Sequence, residues 1–255
     1  MKDFIGIFDS GIGGLTVYNT IKNKFPNENI VYLADTKNCP YGIKTLEEIN
    51  RISVKNINYL KDLGAKAIVV ACNTATSSIS KEIKNSDGYI IGVVEPTANL
   101  AYNSSKSKKI GVFATNLTIN TKAYDKYLKD AVVFGEGCSD FVLPIEEGRI
   151  HTEEMRNMIK KHVKSLDNVD TLILGCTHFP YIKEEIHEIL PNVTLIESGE
   201  ATSKVLYDYL KEHNLLEDVK NRELMFLTTS NKEDALKQLD RLNQMFDIIE
   251  EVRND

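Results

Sequence analysis

The stretches AIVVACNTAT, residues 67–76, and TLILGCTHFP, residues 171–180, share one layout. Each is an apolar run that ends in a cysteine and passes at once to small hydroxyl or amide residues and then to helix-forming sequence. A second pair repeats beside them: IGIFDS at 5–10 matches IGVFAT at 110–115 with an offset of 105, and the cysteine stretches match with an offset of 104. Two matches at nearly one offset point to an internal duplication. Buried Ile/Val-rich strands resemble one another in many proteins, but chance does not also align the cysteines.

Working outward, short apolar runs alternate with longer segments of helical period, the signature of an α/β chain with a largely parallel sheet. Strands are expected at 4–8, 30–34, 67–71, 89–93, 109–113, 171–174, 193–196 and 224–227. Helices are expected at 45–64, 121–130, 152–166, 181–190, 200–213 and 232–246. In the first of these, Thr45 and Glu48 have the spacing of a capping box and Gly64 offers a stop. Met155, Met158, Ile159 and His162 form a stripe that reads as core packing. The expected fold is therefore α/β, with two pseudo-symmetric α/β units of mainly parallel sheet. In each unit the first strand ends in a small hydroxyl residue, Ser10 or Thr115, and a later one in a cysteine. Ligands of open α/β sheets bind at the carboxyl edge, so two such edges facing each other make a cleft with one cysteine on each wall.

The bulk numbers exclude several functions. The chain has 255 residues, 42% hydrophobic and 27% charged, with a formal net charge of −6. It is long enough for one large domain or two smaller ones, and no basic surface recommends nucleic acid or an anionic membrane. A local site can still take an acidic substrate. The N-terminal MKDFIGIFDSGIGG lacks the layout of a secretory signal, and no apolar run reaches the length of a membrane span. The expectation is a cytoplasmic protein with reduced thiols. Cys39, Cys72, Cys138 and Cys176 include no C-x-x-C pair, so neither a zinc site nor a redox dithiol has its usual spacing.

A thiolate is a nucleophile or a base. A free thiol titrates near about 8.5, so half ionisation near pH 7.5 needs about 1.4 kcal/mol. A helix N-terminus contributes about 0.3–1 kcal/mol, rising to about 2 when partly buried. Both cysteines precede an expected helix start, with Thr74 placed to cap the first and Pro180 suited to the first turn of the second. Two bases on opposite sides of one molecule suit removal of a proton from one face of a carbon and delivery to the other, which inverts the centre. An α-proton is a very weak acid, so other donors must stabilise the developing carbanion. A lone cysteine at a strand end is ordinarily a small buried hydrophobe. Cys39 and Cys138 are assigned that role; Cys72 and Cys176 share offset, strand and following segment, and stand apart from it.

The segments FDSGIGGLTV (8–17), ADTKNCPYG (34–42), ACNTAT (71–76), GVVEP (92–96), IEEG (145–148) and LILGCTHFP (172–180) together resemble the glutamate racemase family. The resemblance spans essentially the whole chain, and any one motif alone would also fit the wider aspartate/glutamate racemase superfamily. It implies cofactor-independent interconversion of L- and D-glutamate, supplying D-glutamate for peptidoglycan. Cys72 would take the α-proton of D-glutamate and Cys176 that of L-glutamate. Asp9 would assist Cys72 and His178 would assist Cys176, with Asp35 and Glu146 as further acids; the choice of Glu146 over Glu147 rests on the resemblance alone. Substrate would be held by Asp9, Ser10, Tyr41, Gly42, Asn73, Thr74, Thr177 and His178, with Thr115 and Thr118 carried over from the second-half loop. Asp9 suits an ammonium group, and the hydroxyl and amide residues suit carboxylates.

The resemblance also implies a first domain of residues 1–95 completed by a return at 207–255, a second domain of 96–206, and hinge motion between them. It admits a homodimer. No pyridoxal phosphate, metal or nucleotide is expected, since DSGIGG lacks the lysine and the spacing of the glycine-rich nucleotide loops. Leu117 and Glu197 depart from the residues common in the family. An aspartate racemase on the same scaffold and a non-catalytic amino-acid-binding protein remain as competing readings.

Overall fold

Among the described residues ten strands emerge where β-branched and aromatic residues cluster: β1 Phe4–Asp9, β2 Ile30–Ala34, β3 Ala65–Val70, β4 Ile90–Gly92, β5 Lys109–Ala114, β6 Val132–Gly137, β7 Thr171–Gly175, β8 Thr194–Ile196, β9 Leu224–Thr228 and β10 Ile248–Glu251. The computed structural model describes residues 3–218 and 222–252. Residues 1–2, which entered the reading of the N-terminus, and residues 219–221 and 253–255 of the C-terminal return lie outside the described residues.

The strands form two wholly parallel sheets, ordered β10-β9-β2-β1-β3-β4 and β6-β5-β7-β8. The order β2-β1-β3-β4 in the first sheet recurs as β6-β5-β7-β8 in the second, as a duplicated unit requires. β1 and β3 are buried along their whole length, as in parallel sheets covered on both faces. Alternate residues of β1 face opposite layers. Ile5 and Ile7 pack with Leu15, Tyr18 and Ile21 of the helix Leu15–Lys24 and with Leu206 and Leu210 of the helix Ser198–Glu212. Phe4 and Phe8 pack with Ile49, Ile57 and Leu60 of the helix Leu46–Asp62. In the second sheet, Phe113, Leu172 and Leu174 meet Met155 and Ile159, while Ile110, Val112 and Ile173 meet Ala98 and Ala101.

At the helix Leu46–Asp62 the local signals hold at both ends. Thr45 Oγ1 accepts from the Glu48 N–H at 3.2 Å, and Gly64 leaves the helix at φ +97°. The capping box is only half made, because the Glu48 carboxylate turns instead to Lys44 at 3.0 Å. Three expectations need correction. β6 and β10 were absent from the strand assignment: β6 has a partly exposed outer edge, and β10 is a short edge strand ending in two exposed glutamates. The helix expected at 121–130 does not form. A short helix, Asn116–Asn120, precedes it, and Lys122 then sits at φ +51°, outside any right-handed helix.

The C-terminal return docks through a buried charge. Lys66, at the start of β3, bonds Glu28 at 2.7 Å and the Leu215 carbonyl at 2.7 Å, and lies 3.4 Å from Glu217. The Lys66 and Glu28 side chains are 4% and 2% exposed, so each depends on the other for compensation. Removing one member of a buried pair costs about 3–5 kcal/mol, whereas replacing both by apolar groups costs far less. Lys66→Ala is expected to lower urea-unfolding stability by that amount, and Lys66→Met combined with Glu28→Leu to recover most of it.

Candidate active site

β1 and β3 end side by side, and the residues just past them build one wall. Asp9 closes β1 fully buried. Its Oδ2 accepts from the Gly11 and Gly14 N–H groups, each at 3.1 Å, which curls DSGIGG around the carboxylate. A Cβ on Gly14 would lie 2.6 Å from that of Asp9, so only glycine fits the turn. Asp9 Oδ1 is buried with no hydrogen-bond partner among the described residues. Burial raises the Asp9 carboxyl, opposed by the charge of His178 and by backbone N–H groups of the loop.

Cys72 follows β3 and is 6% exposed. Its sulfur accepts from the Ala75 N–H at 3.4 Å and lies 3.6 Å from Ser10 Oγ. Thus the cysteine itself, and not Thr74, caps the helix Asn73–Ser78. The helix end does favour the thiolate, as expected, but it is outweighed. Burial pushes the Cys72 thiol well up and the Asp9 charge adds to it.

The second wall repeats the backbone with different chemistry. Cys176 follows β7 and is 7% exposed. A 3-10 turn, Phe179–Ile182, stands where a helix start was expected, and the helix begins only at Lys183. His178 takes over the electrostatic role: Nδ1 lies 3.7 Å from Cys176 Sγ and Nε2 lies 3.1 Å from Glu146 Oε1. Burial alone would lower the imidazole, but its contacts with Cys176 and Glu146 outweigh it and hold His178 up at about 10. Glu147 turns away to Arg149, so of the two adjacent glutamates only Glu146 meets the histidine.

Several contacts join the walls. Thr74 Oγ1 lies 3.0 Å from Thr115 Oγ1 and 3.4 Å from Thr118 Oγ1, and the last two are 3.0 Å apart. Thr16 Oγ1 donates to the Thr177 carbonyl at 3.1 Å. A Cβ on Gly13 would come within 2.6 Å of both Thr177 Oγ1 and His178 Cε1. Gly42 faces Thr115, the nearest atom to a Cβ built there at 4.0 Å. Across the gap, the charge on Cys176 adds a lesser rise to the Cys72 thiol.

Asp35 stands differently from the other acids. It accepts from Tyr41 at 2.5 Å, Asn56 at 3.0 Å, Asn38 at 3.0 Å and Thr229 at 2.8 Å, so it fixes Tyr41 in place. The contribution of Thr229 from the C-terminal return had no signal in the sequence. Cys39 corrects its assignment as a buried hydrophobe. It is only partly buried, and burial together with the charges of Glu146, Asp9, Asp35 and Cys176 raises its thiol to about 12. Cys138 is buried as expected. Tyr124 was also missed: its hydroxyl donates to Asn73 Oδ1 at 2.7 Å. No group of three or more His, Cys, Asp or Glu among the described residues is arranged to hold a metal ion, and no helix among them is long and apolar enough to cross a membrane.

Residues 5–206 match the profile of the Asp/Glu/Hydantoin racemase family. A glutamate racemase of Aquifex aeolicus is 44% identical over 211 residues, covering 81% of this chain and 83% of that protein. Among solved structures, a glutamate racemase isoform of Bacillus anthracis superposes with a TM-score of 0.92 at 33% identity, covering 98% and 97% of the two chains. A Francisella tularensis glutamate racemase, solved in complex with D-glutamate, gives 0.89 at 35% identity, covering 99% and 98%.

Two outcomes follow from the geometry. Gly13→Ala should prise the walls apart and speed alkylation of Cys176 by iodoacetamide, read by peptide mass spectrometry, with far-UV circular dichroism unchanged. The expected gain is about tenfold, equivalent to ~1.4 kcal/mol in local opening. For His178, whose folded pKa is raised from 6.5 to about 10, the stabilisation is complete below the unfolded value and lost as pH rises through the folded one. The melting temperature of the wild type should therefore fall relative to His178→Gln between about pH 6.5 and 10; parallel curves would contradict the pairing.

Proposed function

The chain belongs to the Asp/Glu/Hydantoin racemase family, and on that footing we propose that it interconverts L- and D-glutamate by a two-thiol exchange of the α-proton. The reading is carried by one observation: two sulfurs occupy equivalent places past β3 and β7, one beside Asp9 and Ser10 and the other beside His178 and Glu146. The choice of glutamate as substrate draws on the relatives' names, including the one solved with D-glutamate.

Glutamate brings one ammonium and two carboxylates. The free Oδ1 of Asp9 is an acceptor for the ammonium, and the hydroxyl or amide groups of Ser10, Asn73, Thr74, Thr115, Thr118 and Thr177 are neutral donors to carboxylates, with Tyr41 and Gly42 flanking them. Cys72 takes the α-proton of the D-isomer and Cys176 that of the L-isomer, and the opposite thiol returns a proton to the other face. The burial that raises Cys72 makes its thiolate costly. The substrate ammonium, placed between Asp9 and Cys72, offsets that cost by neutralising the charge that opposes ionisation. On the other wall the protonated His178 stands ready beside Cys176, positioned by Glu146. Holding the carbon between two aligned groups contributes about 7–11 kcal/mol to lowering the barrier.

The product D-glutamate would serve peptidoglycan synthesis in the cytoplasm, with a small-molecule substrate and, at most, a second copy of the chain as partners. Residues 1–95 with 207–255 are assigned to one domain and 96–206 to the other, with substrate entering as they part. No cofactor takes part in this reading.

Circular dichroism of glutamate in deuterated water tests the pairing. Cys72→Ser and Cys176→Ser are each expected to lose about 10²–10⁴ in kcat, and wild-type product should carry deuterium at Cα. Full activity in either variant removes the two-thiol scheme. Faster turnover of D-aspartate than of D-glutamate replaces the substrate.

A further inference from the structure

Tyr124 belongs to the second half of the chain, in the turns that follow the helix Asn116–Asn120. It is 2% exposed and packs in the apolar layer with Leu128 and Ile173. Its ring lies over Gly175, where a Cβ would come within 3.0 Å of Tyr124 Cε2. The hydroxyl nevertheless leaves that layer and crosses to the first half, where it donates to Asn73 Oδ1 at 2.7 Å.

Asn73 is the residue after Cys72 and is itself 2% exposed. Its Nδ2 is buried with no hydrogen-bond partner among the described residues. A side-chain amide can turn end for end about its last torsion, exchanging donor for acceptor. Here the Tyr124 hydroxyl donates to one end, which holds the oxygen toward it and turns the N–H₂ the other way. Burial pushes the Tyr124 phenol upward, so the hydroxyl keeps its proton and remains a donor. An unpaired buried N–H₂ is unfavourable until an acceptor reaches it.

We propose that Tyr124 is a positioning residue for substrate: its hydroxyl fixes the Asn73 amide so that Nδ2 stands as an open donor beside Cys72 for a substrate carboxylate. Because donor and acceptor come from opposite halves, the amide is oriented only when the halves are closed. Closure and substrate recognition are thereby coupled through one hydrogen bond. The inference rests on the reading of the chain as a glutamate racemase that holds substrate through Asn73.

The test is a double-mutant cycle in steady-state racemisation of glutamate, with thermal melts of each protein. Tyr124→Phe keeps the ring and removes only the hydroxyl. It should raise KM about five- to tenfold, one neutral hydrogen bond's worth, with kcat within about twofold. In an Asn73→Ala background the same substitution should change nothing further, since its target is gone. Equal effects in both backgrounds would mean that Tyr124 acts by packing and would overturn the inference. So would an unchanged KM in Tyr124→Phe, with or without a lowered melting temperature. A wild type unable to racemise glutamate overturns the functional reading and this inference together, whereas an active wild type with additive variants overturns only the role of Tyr124.

Discussion

The site exists because the GIGG turn lies against Thr177 and His178 with no room for a Cβ at Gly13. That approach is set up by Asp9, whose Oδ2 gathers the Gly11 and Gly14 N–H groups and folds the loop tightly over the end of β1. Bulk at Gly13 would hold the two sheets' edges apart, and bulk at Gly14 would break the turn itself against Asp9 and Tyr32. The Thr74 contacts to Thr115 and Thr118, the Thr16 bond to Thr177 and the burial of both sulfurs all require the closeness that these glycines permit.

Within a duplicated backbone the two walls carry different electrostatics. At Cys72 the neighbouring charge is a carboxylate, and the stabilising groups are one backbone N–H and one hydroxyl. At Cys176 the neighbour is an imidazole held protonated across neutral pH, itself tied to Glu146. An acceptor left without a hydrogen-bond partner among the described residues, Asp9 Oδ1, stands on the Cys72 wall. The two thiols therefore meet opposite neighbouring charges, a carboxylate beside Cys72 and an imidazolium beside Cys176.

Much of this was legible from short segments. The repeat of IGIFDS as IGVFAT and of IVVACNT as LILGCTH foretold two units, and the strand order β2-β1-β3-β4 recurs as β6-β5-β7-β8. Applied consistently, the repeat would also have found β6, which stands to β5 as β2 stands to β1. Its opening Val132, Val133 and Phe134 suit a strand, but the run is short, passes at once to Gly-Glu-Gly and has an exposed outer edge; β10 is likewise short and ends in two exposed glutamates. The failed helix at 121–130 has a local cause in the left-handed turn at Lys122. Tyr124 and Thr229 were invisible because their partners, Asn73 and Asp35, lie 51 and 194 residues away in the chain.

The amino-acid sequence by itself determined the α/β alternation, the duplication, and the placing of Cys72 and Cys176 past equivalent strands. These depend on side-chain periodicity and on residues adjacent in the chain. Only the tertiary structure decided which atoms surround each sulfur: that Cys72 caps its own helix, that His178 and not a helix end attends Cys176, and that Glu146 rather than Glu147 reaches the histidine. Protonation depends on burial and on charges brought together from distant segments, and neither quantity exists until the two halves close on each other.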